Sequence, residues 1–216
     1  MHKGLLFDLD GVIVDTAKYH YLAWKELAQE LKIPFTREDN ERLKGVSRKQ
    51  SFEIILELGK RRMAEEEKEF YCRRKNEIYL EYIQKLSKED ILPGVFEFLE
   101  NAKKRGYRTA LGSASKNAVL ILEKLNLSDS FDKIIDGNKV SRVKPDPEVF
   151  CKGAEALNLC YGDCIVFEDA AAGIEAAHAG GMKAVGVGNP EILSAADCLI
   201  GGFAGITIEE IEKMLN

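Results

Sequence analysis

Apolar residues are spaced along this chain in two ways. Gly4-Leu5-Leu6-Phe7 is a short unbroken apolar run that leads into acids, and residues 4–10 read as a buried strand. From about residue 16 to 86 the spacing is helical. Ala17, Leu22, Ala23, Leu27 and Leu31 approximate a stripe that Ile33-Pro34 ends, Ser51–Leu58 predicts a second helix, and the highly charged Ala64–Leu86 a third. No run in this interval reads as a strand. After Leu92-Pro93-Gly94 strands and helices alternate. Helices are expected over 95–105, 116–125, 147–157, 170–179 and 208–215, and strands over 107–112, 131–135, 164–167, 184–187 and 198–200. That alternation implies a parallel sheet covered on both faces and joined by right-handed crossovers. A lone strand cannot stand by itself, so residues 4–10 belong with this sheet. The expected fold is α/β. A Rossmann-like parallel-sheet core is formed by residues 1–15 and 88–216, and a helical cap, residues 16–87, is inserted after the first strand, where it can act as a lid.

Composition narrows the function classes. The 216 residues carry 31 basic and 36 acidic side chains, a net charge of −5, and no long basic tract. Nucleic acid and anionic membrane surfaces are therefore disfavoured as partners. No apolar run approaches the ~20 residues of a membrane span. Met1-His2-Lys3 leads straight into the first strand, which leaves no room for a signal peptide. The five cysteines are odd in number and scattered, and Cys160-x3-Cys164 lacks the second pair that zinc requires. They read as reduced thiols of a cytoplasmic protein.

Candidate chemistry clusters where strands are expected to end. Asp8 and Asp10 stand two apart, so a strand would aim both at one point beyond its C-terminal end, the side on which open α/β sheets bind ligands. Two converging acids call for a divalent cation, a shared proton, or both. In Gly112-Ser113-Ala114-Ser115-Lys116-Asn117 a strand meets a helix, and Ser113 with the Ala114 amide could hold a phosphate oxygen. The plainer alternative is that Ser113 or Ser115 caps the helix. Lys144, before Pro145, could neutralise a carboxylate and a phosphate together. Glu168-Asp169 follows an apolar strand, and with Asp8 would offer the oxygen ligands magnesium prefers. The plainer alternative is again an N-cap, from Asp169.

In this order the four elements look like the motifs of the haloacid-dehalogenase superfamily, and more closely those of its β-phosphoglucomutases. The resemblance covers essentially the full length. It rests on Asp8-Leu9-Asp10-Gly11-Val12, Asp15-Thr16-Ala17 with His20 and Trp24, Lys44-Gly45-Val46-Ser47-Arg48, Arg74-Lys75-Asn76, Ser113 to Asn117, Lys144-Pro145 and Glu168-Asp169. No catalytic position departs from the family pattern. The resemblance implies phosphoryl transfer through an aspartyl phosphate on Asp8. Asp10 would move protons, Ser113 and Lys144 would serve the transferring group, and Mg²⁺ would be held by Asp8, Asp10 (through its backbone carbonyl), Glu168 and Asp169. It implies substrate contacts from Thr16, His20, Trp24, Lys44, Gly45, Val46, Ser47, Arg48, Ser51 and Lys75, with Arg48 and Ser115–Asn117 around a second phosphate or the sugar hydroxyls, and Ala114 beside the first. His20 would be a hinge between cap and core. The activity implied is interconversion of β-D-glucose 1-phosphate and β-D-glucose 6-phosphate, primed by β-D-glucose 1,6-bisphosphate, in a monomer whose partner is a small sugar phosphate. Two other readings remain open here: a magnesium-dependent sugar-phosphate phosphatase sharing the same core residues, and a non-enzymatic phosphosugar or nucleotide binder, which would have no use for two aligned acids.

Overall fold

The computed structural model describes residues 3–43 and 46–215, so Lys44 and Gly45 lie outside the described residues. The chain divides into two compact units, one comprising Met1–Asp15 with Ser87–Asn216 and the other Thr16–Leu86.

The first unit is built on a sheet of β1 (Gly4–Phe7), β2 (Arg108–Gly112), β3 (Lys133–Ile135), β4 (Cys164–Glu168), β5 (Lys183–Val187) and β6 (Cys198–Ile200). Every pairing is parallel and the spatial order is β3-β2-β1-β4-β5-β6. The order reverses beside β1, and the crevice at such a reversal is where doubly wound sheets bind ligands. Phe7 stands in register with Leu111 on one side and Phe167 on the other. The next residues of β1 and β4, Asp8 and Glu168, are therefore neighbours.

Strand alternation sends Phe7 and Phe167 to one face of the sheet. There the two rings stack at 4.7 Å, and Phe98 meets both edge-on. Phe98 belongs to α5 (Val95–Lys104), and Phe203 packs on the same cluster. Leu6, Ala110, Val166 and Ala184 face the other way. They are buried against Phe150 and Ala154 of α7 (Glu148–Ala156) and Ile174 and Ala177 of α8 (Ala171–Ala179). Burial of the larger of these, Leu6, Val166, Phe150 and Ile174, stabilises the unit by about 1.5–3 kcal/mol each. The helices α6 (Ala118–Leu125) and α9 (Ile208–Leu215) complete the unit.

The second unit is helical, as its spacing predicts: α1 (Ala17–Glu30), α3 (Arg48–Leu58) and α4 (Glu65–Ile83). Trp24, Leu27, Phe52, Ile55 and Leu56 form its apolar centre. A short helix, α2 (Arg37–Glu41), was not expected. It buries none of its residues, and a reciprocal cap holds it instead. Thr36 Oγ1 accepts from the Asp39 amide at 3.2 Å, and Asp39 Oδ2 accepts from the Thr36 amide at 2.8 Å. No helix among the described residues is long and apolar enough to cross a membrane.

Two local expectations change. The first strand ends at Phe7, not at residue 10. Gly11 adopts φ +79° and its amide bonds Val14 O, while the Ile13 and Val14 amides bond Leu9 O, so the chain turns tightly as soon as Asp8 has passed. Helix α6 starts at Ala118 and not directly after Ser113. The Ser113 and Ser115 hydroxyls each accept from the amide two residues on, at 3.1 and 3.3 Å, which holds 113–117 as consecutive turns.

Candidate active site

The acids following β1 and β4 are brought together by the sheet register. The Asp8 amide donates to Phe167 O at 3.0 Å, which locks the residue beyond one strand to the other. Asp8, Glu168 and Asp169 then place carboxylate oxygens within 4.8 Å of one another, Asp8 and Glu168 being buried. Asp10 lies outside this group. With the strand already ended at Phe7, strand alternation no longer pairs it with Asp8. It is nonetheless close enough to act on Asp169 electrostatically.

Lys144 answers two of the three acids. Its ammonium reaches Asp8 Oδ1 and Glu168 Oε1, each at 2.5 Å, with its side chain only 9% exposed. Burial works against that charge, but Asp8 and Glu168 outweigh it and raise the lysine's pKa above its ordinary value. Glu168 Oε2 accepts from the Ala170 amide at 3.0 Å. Burial, with Asp8 adding, still pushes the Glu168 carboxyl up against the pull of Lys144. Asp169 is pushed up to about 8, by burial first and then by Asp8, Glu168 and Asp10. Three carboxylates thus face one ammonium, an excess of two negative charges when all are ionised. A compact oxygen-only donor set with that excess fits a hard divalent cation such as magnesium.

Two glycines make room for these acids. A Cβ at Gly11 would stand 2.6 Å from Asp169 Cγ, and one at Gly173, inside α8, would overlap the Glu168 carboxylate. The Gly11 contact was unforeseen although Asp10-Gly11 is conspicuous in the sequence. Nothing in the sequence singles out Gly173.

Ser113 is buried at the end of β2, its amide bonded to Ile135 O at 2.9 Å. The Ser115 carbonyl accepts from the Gly137 amide at 3.0 Å, and Asn138 Nδ2 donates to Lys116 O at 3.1 Å and to Asp136 Oδ2 at 2.8 Å. Asp136 and Asn138, which the sequence did not single out, therefore back the 113–117 turns. Asn117 stands at the N-cap of α6. Asp169 does not cap α8; Ala170 does.

In the other unit, Lys75 of α4 is buried, with its ammonium 2.9 Å from His20 Nδ1 and over the rings of Trp24 and Tyr79 at 4.9 and 4.6 Å. Burial, then Lys75 and Arg48, hold His20 well below its ordinary pKa, so it faces the ammonium as a neutral acceptor. Trp24 is itself buried and stacks on Phe52, which makes it the floor beneath Lys75. Arg48 opens α3 and donates to Asn76 Oδ1 at 2.7 Å. Ser47 caps the same helix by accepting from the Gln50 amide, Val46 is half-buried before it, Ser51 is buried within it, and Thr16 is buried at the start of α1.

Known proteins carry the same plan. The family model described as haloacid dehalogenase-like hydrolase matches residues 5–187. The beta-phosphoglucomutase of Bacillus subtilis is 43% identical over 213 residues, 98% of this chain and 94% of that protein. A phosphorylated carbohydrates phosphatase of Thermotoga maritima is 30% identical over 99% of this chain and 98% of its own. The crystal structure of a beta-phosphoglucomutase from Clostridium difficile superposes with a TM-score of 0.94 at 42% identity, covering 100% of this chain and 98% of that one. A parallel sheet ordered about β1, three acids and a lysine at its C-terminal edge, and a family match across 183 of its residues make this chain a member of the haloacid dehalogenase-like hydrolase family.

Proposed function

We propose that this protein is a phosphoryl-transfer isomerase that interconverts β-D-glucose 1-phosphate and β-D-glucose 6-phosphate through β-D-glucose 1,6-bisphosphate. The observation that carries the reading is the Lys144 ammonium shared between Asp8 and Glu168 at the end of β1 and β4, taken with near-full-length likeness to two beta-phosphoglucomutases.

Asp8 is the nucleophile. Its second oxygen attacks phosphorus while Lys144 holds the first, which splits a difficult transfer into two in-line steps. Lys144 offsets the repulsion between an anionic nucleophile and a dianionic phosphate. Magnesium, held by Asp8, Glu168, Asp169 and the Asp10 carbonyl, would supply further neutralisation of charge on the phosphoryl oxygens. Ser113 and the Ala114 amide hold those oxygens. Asp10, outside the acid group, serves to protonate the leaving oxygen and deprotonate the incoming one. Arg48, Lys75 and Ser115–Asn117 are assigned to the sugar and its second phosphate, where arginine's planar fork suits two oxygens at once.

Phosphorus NMR tests the reading: purified protein, magnesium, β-D-glucose 1-phosphate and a trace of the bisphosphate. Accumulation of glucose 6-phosphate is expected. Release of inorganic phosphate in excess of isomer would instead favour the phosphatase reading, which the likeness to the T. maritima enzyme keeps in view. No change in the spectrum would overturn both.

A further inference from the structure

Lys144 lies in the segment between β3 and α7, outside any helix or strand, yet its ammonium meets two buried carboxylates at 2.5 Å each. A long flexible side chain on an irregular segment achieves that only if the segment is fixed. What fixes it is Glu148, the first residue of α7. Its Oε2 accepts from the Ser141 amide at 3.0 Å, the Arg142 amide at 2.7 Å and the Ser141 hydroxyl at 2.9 Å. Its Oε1 accepts from Lys152 at 2.6 Å. The Glu148 side chain is 9% exposed, so most of it is covered by these partners. Lys152, then the Arg142 and Ser141 donors, hold its pKa at about 2, and it is ionised throughout the working range. Asp146 secures the far side. Its Oδ1 accepts from the Glu148 amide at 3.0 Å and its Oδ2 pairs with Arg142 at 3.2 Å. Lys144 stands midway between these two anchored points.

We infer that Glu148 is a positioning residue for phosphoryl transfer: it staples residues 141–146 to the first turn of α7 and so delivers the Lys144 ammonium to Asp8 and Glu168. The inference rests on the function proposed above. Glu148 touches no reacting atom and acts through Lys144, so its loss should lower kcat and leave KM largely unchanged.

The test is a set of variants with two readouts. Glu148→Ala is expected to lower kcat by about 10–100-fold with KM within about threefold, the scale expected when a catalytic group is displaced by about 1 Å. Glu148→Gln, whose amide oxygen can still accept from both backbone amides, should recover to within about fivefold of wild type. In a Lys144→Ala background, Glu148→Ala should cost less than about twofold more, because the two act as one unit. Full additivity, or a raised KM at unchanged kcat, would overturn the inference. The second readout needs no turnover: in ¹⁵N-lysine-labelled protein the Lys144 ammonium should give a protected NMR signal that Glu148→Ala abolishes. An unchanged signal overturns the positioning role. An inactive wild type whose signal is lost in Glu148→Ala overturns the proposed function and leaves the positioning role standing. Should Glu148→Ala not fold, Glu148→Asp, one methylene short of Ser141 and Arg142, gives the same reading with a smaller loss.

Discussion

The carboxylate of Asp169 occupies the space in which a side chain at position 11 would begin, and Gly11 is held at φ +79°. Gly11→Ala therefore combines a left-handed backbone strain of roughly 1–2 kcal/mol with displacement of a proposed metal ligand. The variant should melt several degrees lower and need a higher magnesium concentration for half-maximal activity. An unchanged magnesium midpoint would show that Asp169 is not a ligand.

Asp169 is also one of three carboxylates that repel one another. Asp169→Asn should raise the melting temperature of magnesium-free protein and remove most of the further rise that magnesium gives wild type. Calorimetry with and without a chelator reads both effects. A magnesium increment as large as that of wild type would refute the assignment.

Lys144 is the ammonium shared by Asp8 and Glu168. Lys144→Ala leaves two buried anions unpaired, and breaking such a buried arrangement costs about 3–5 kcal/mol. Urea unfolding should register that loss. Adding Glu168→Gln should return part of it without restoring activity, and a double variant less stable than the single one would contradict the electrostatic origin.

Asp10 lies outside the acid group. Asp10→Asn is expected to lower turnover by roughly 10²–10⁴-fold, the usual cost of losing a general acid/base, while magnesium still stabilises the protein as it does wild type. A loss of both together would merge its role with that of Asp8.

Asp197 marks a pH-dependent contact far from the candidate site in sequence. It accepts from Lys183 at 2.7 Å, the Ala184 amide at 2.8 Å and His178 at 2.9 Å. Burial opposes its charge, but these partners prevail and hold its pKa at about 2. A folded-state pKa below the unfolded one gives stability that is present in full above about pH 5 and is lost as pH falls through 2. Asp197→Asn should cost about 1–2 kcal/mol at pH 7, allowing for solvent screening, and roughly half of that at pH 3. Equal costs at the two pH values would mean that the ionised state is not what matters.

Much of the fold was legible because its elements carry strong periodic signals. Strands such as Cys164–Glu168 and Lys183–Val187 are built on short continuous apolar runs, 164–167 and 184–187, and helices such as Glu148–Ala156 sit between turn-forming residues. Arg37–Glu41 escaped because it buries nothing. Its cap, Thr36 with Asp39, was readable but had no apolar stripe to announce it. The residue types of the candidate site were legible too, but their grouping was not. Asp8 and Asp10 look equivalent two apart in sequence, and only the turn after Asp8 separates them. Lys144 and Asp8 are 136 positions apart, so their contact is set by strand order. The role of Glu148 is not legible in the sequence, since bonds back to Ser141 and Arg142 leave no periodic trace.

The strand order has a consequence for synthesis. β1 is made before the other strands of its sheet, yet in the finished sheet it lies between β2 and β4. Its terminal acid acquires Lys144 and Glu168 only after the ribosome has added most of the 216 residues. The nascent chain must therefore carry an apolar strand with two unsatisfied edges through the making of the entire helical unit, a long-range closure that slows folding and exposes the edges to wrong pairing. Because Thr16–Leu86 is a compact unit with its own apolar centre, that centre can assemble during the interval, before the sheet that flanks it in sequence is complete.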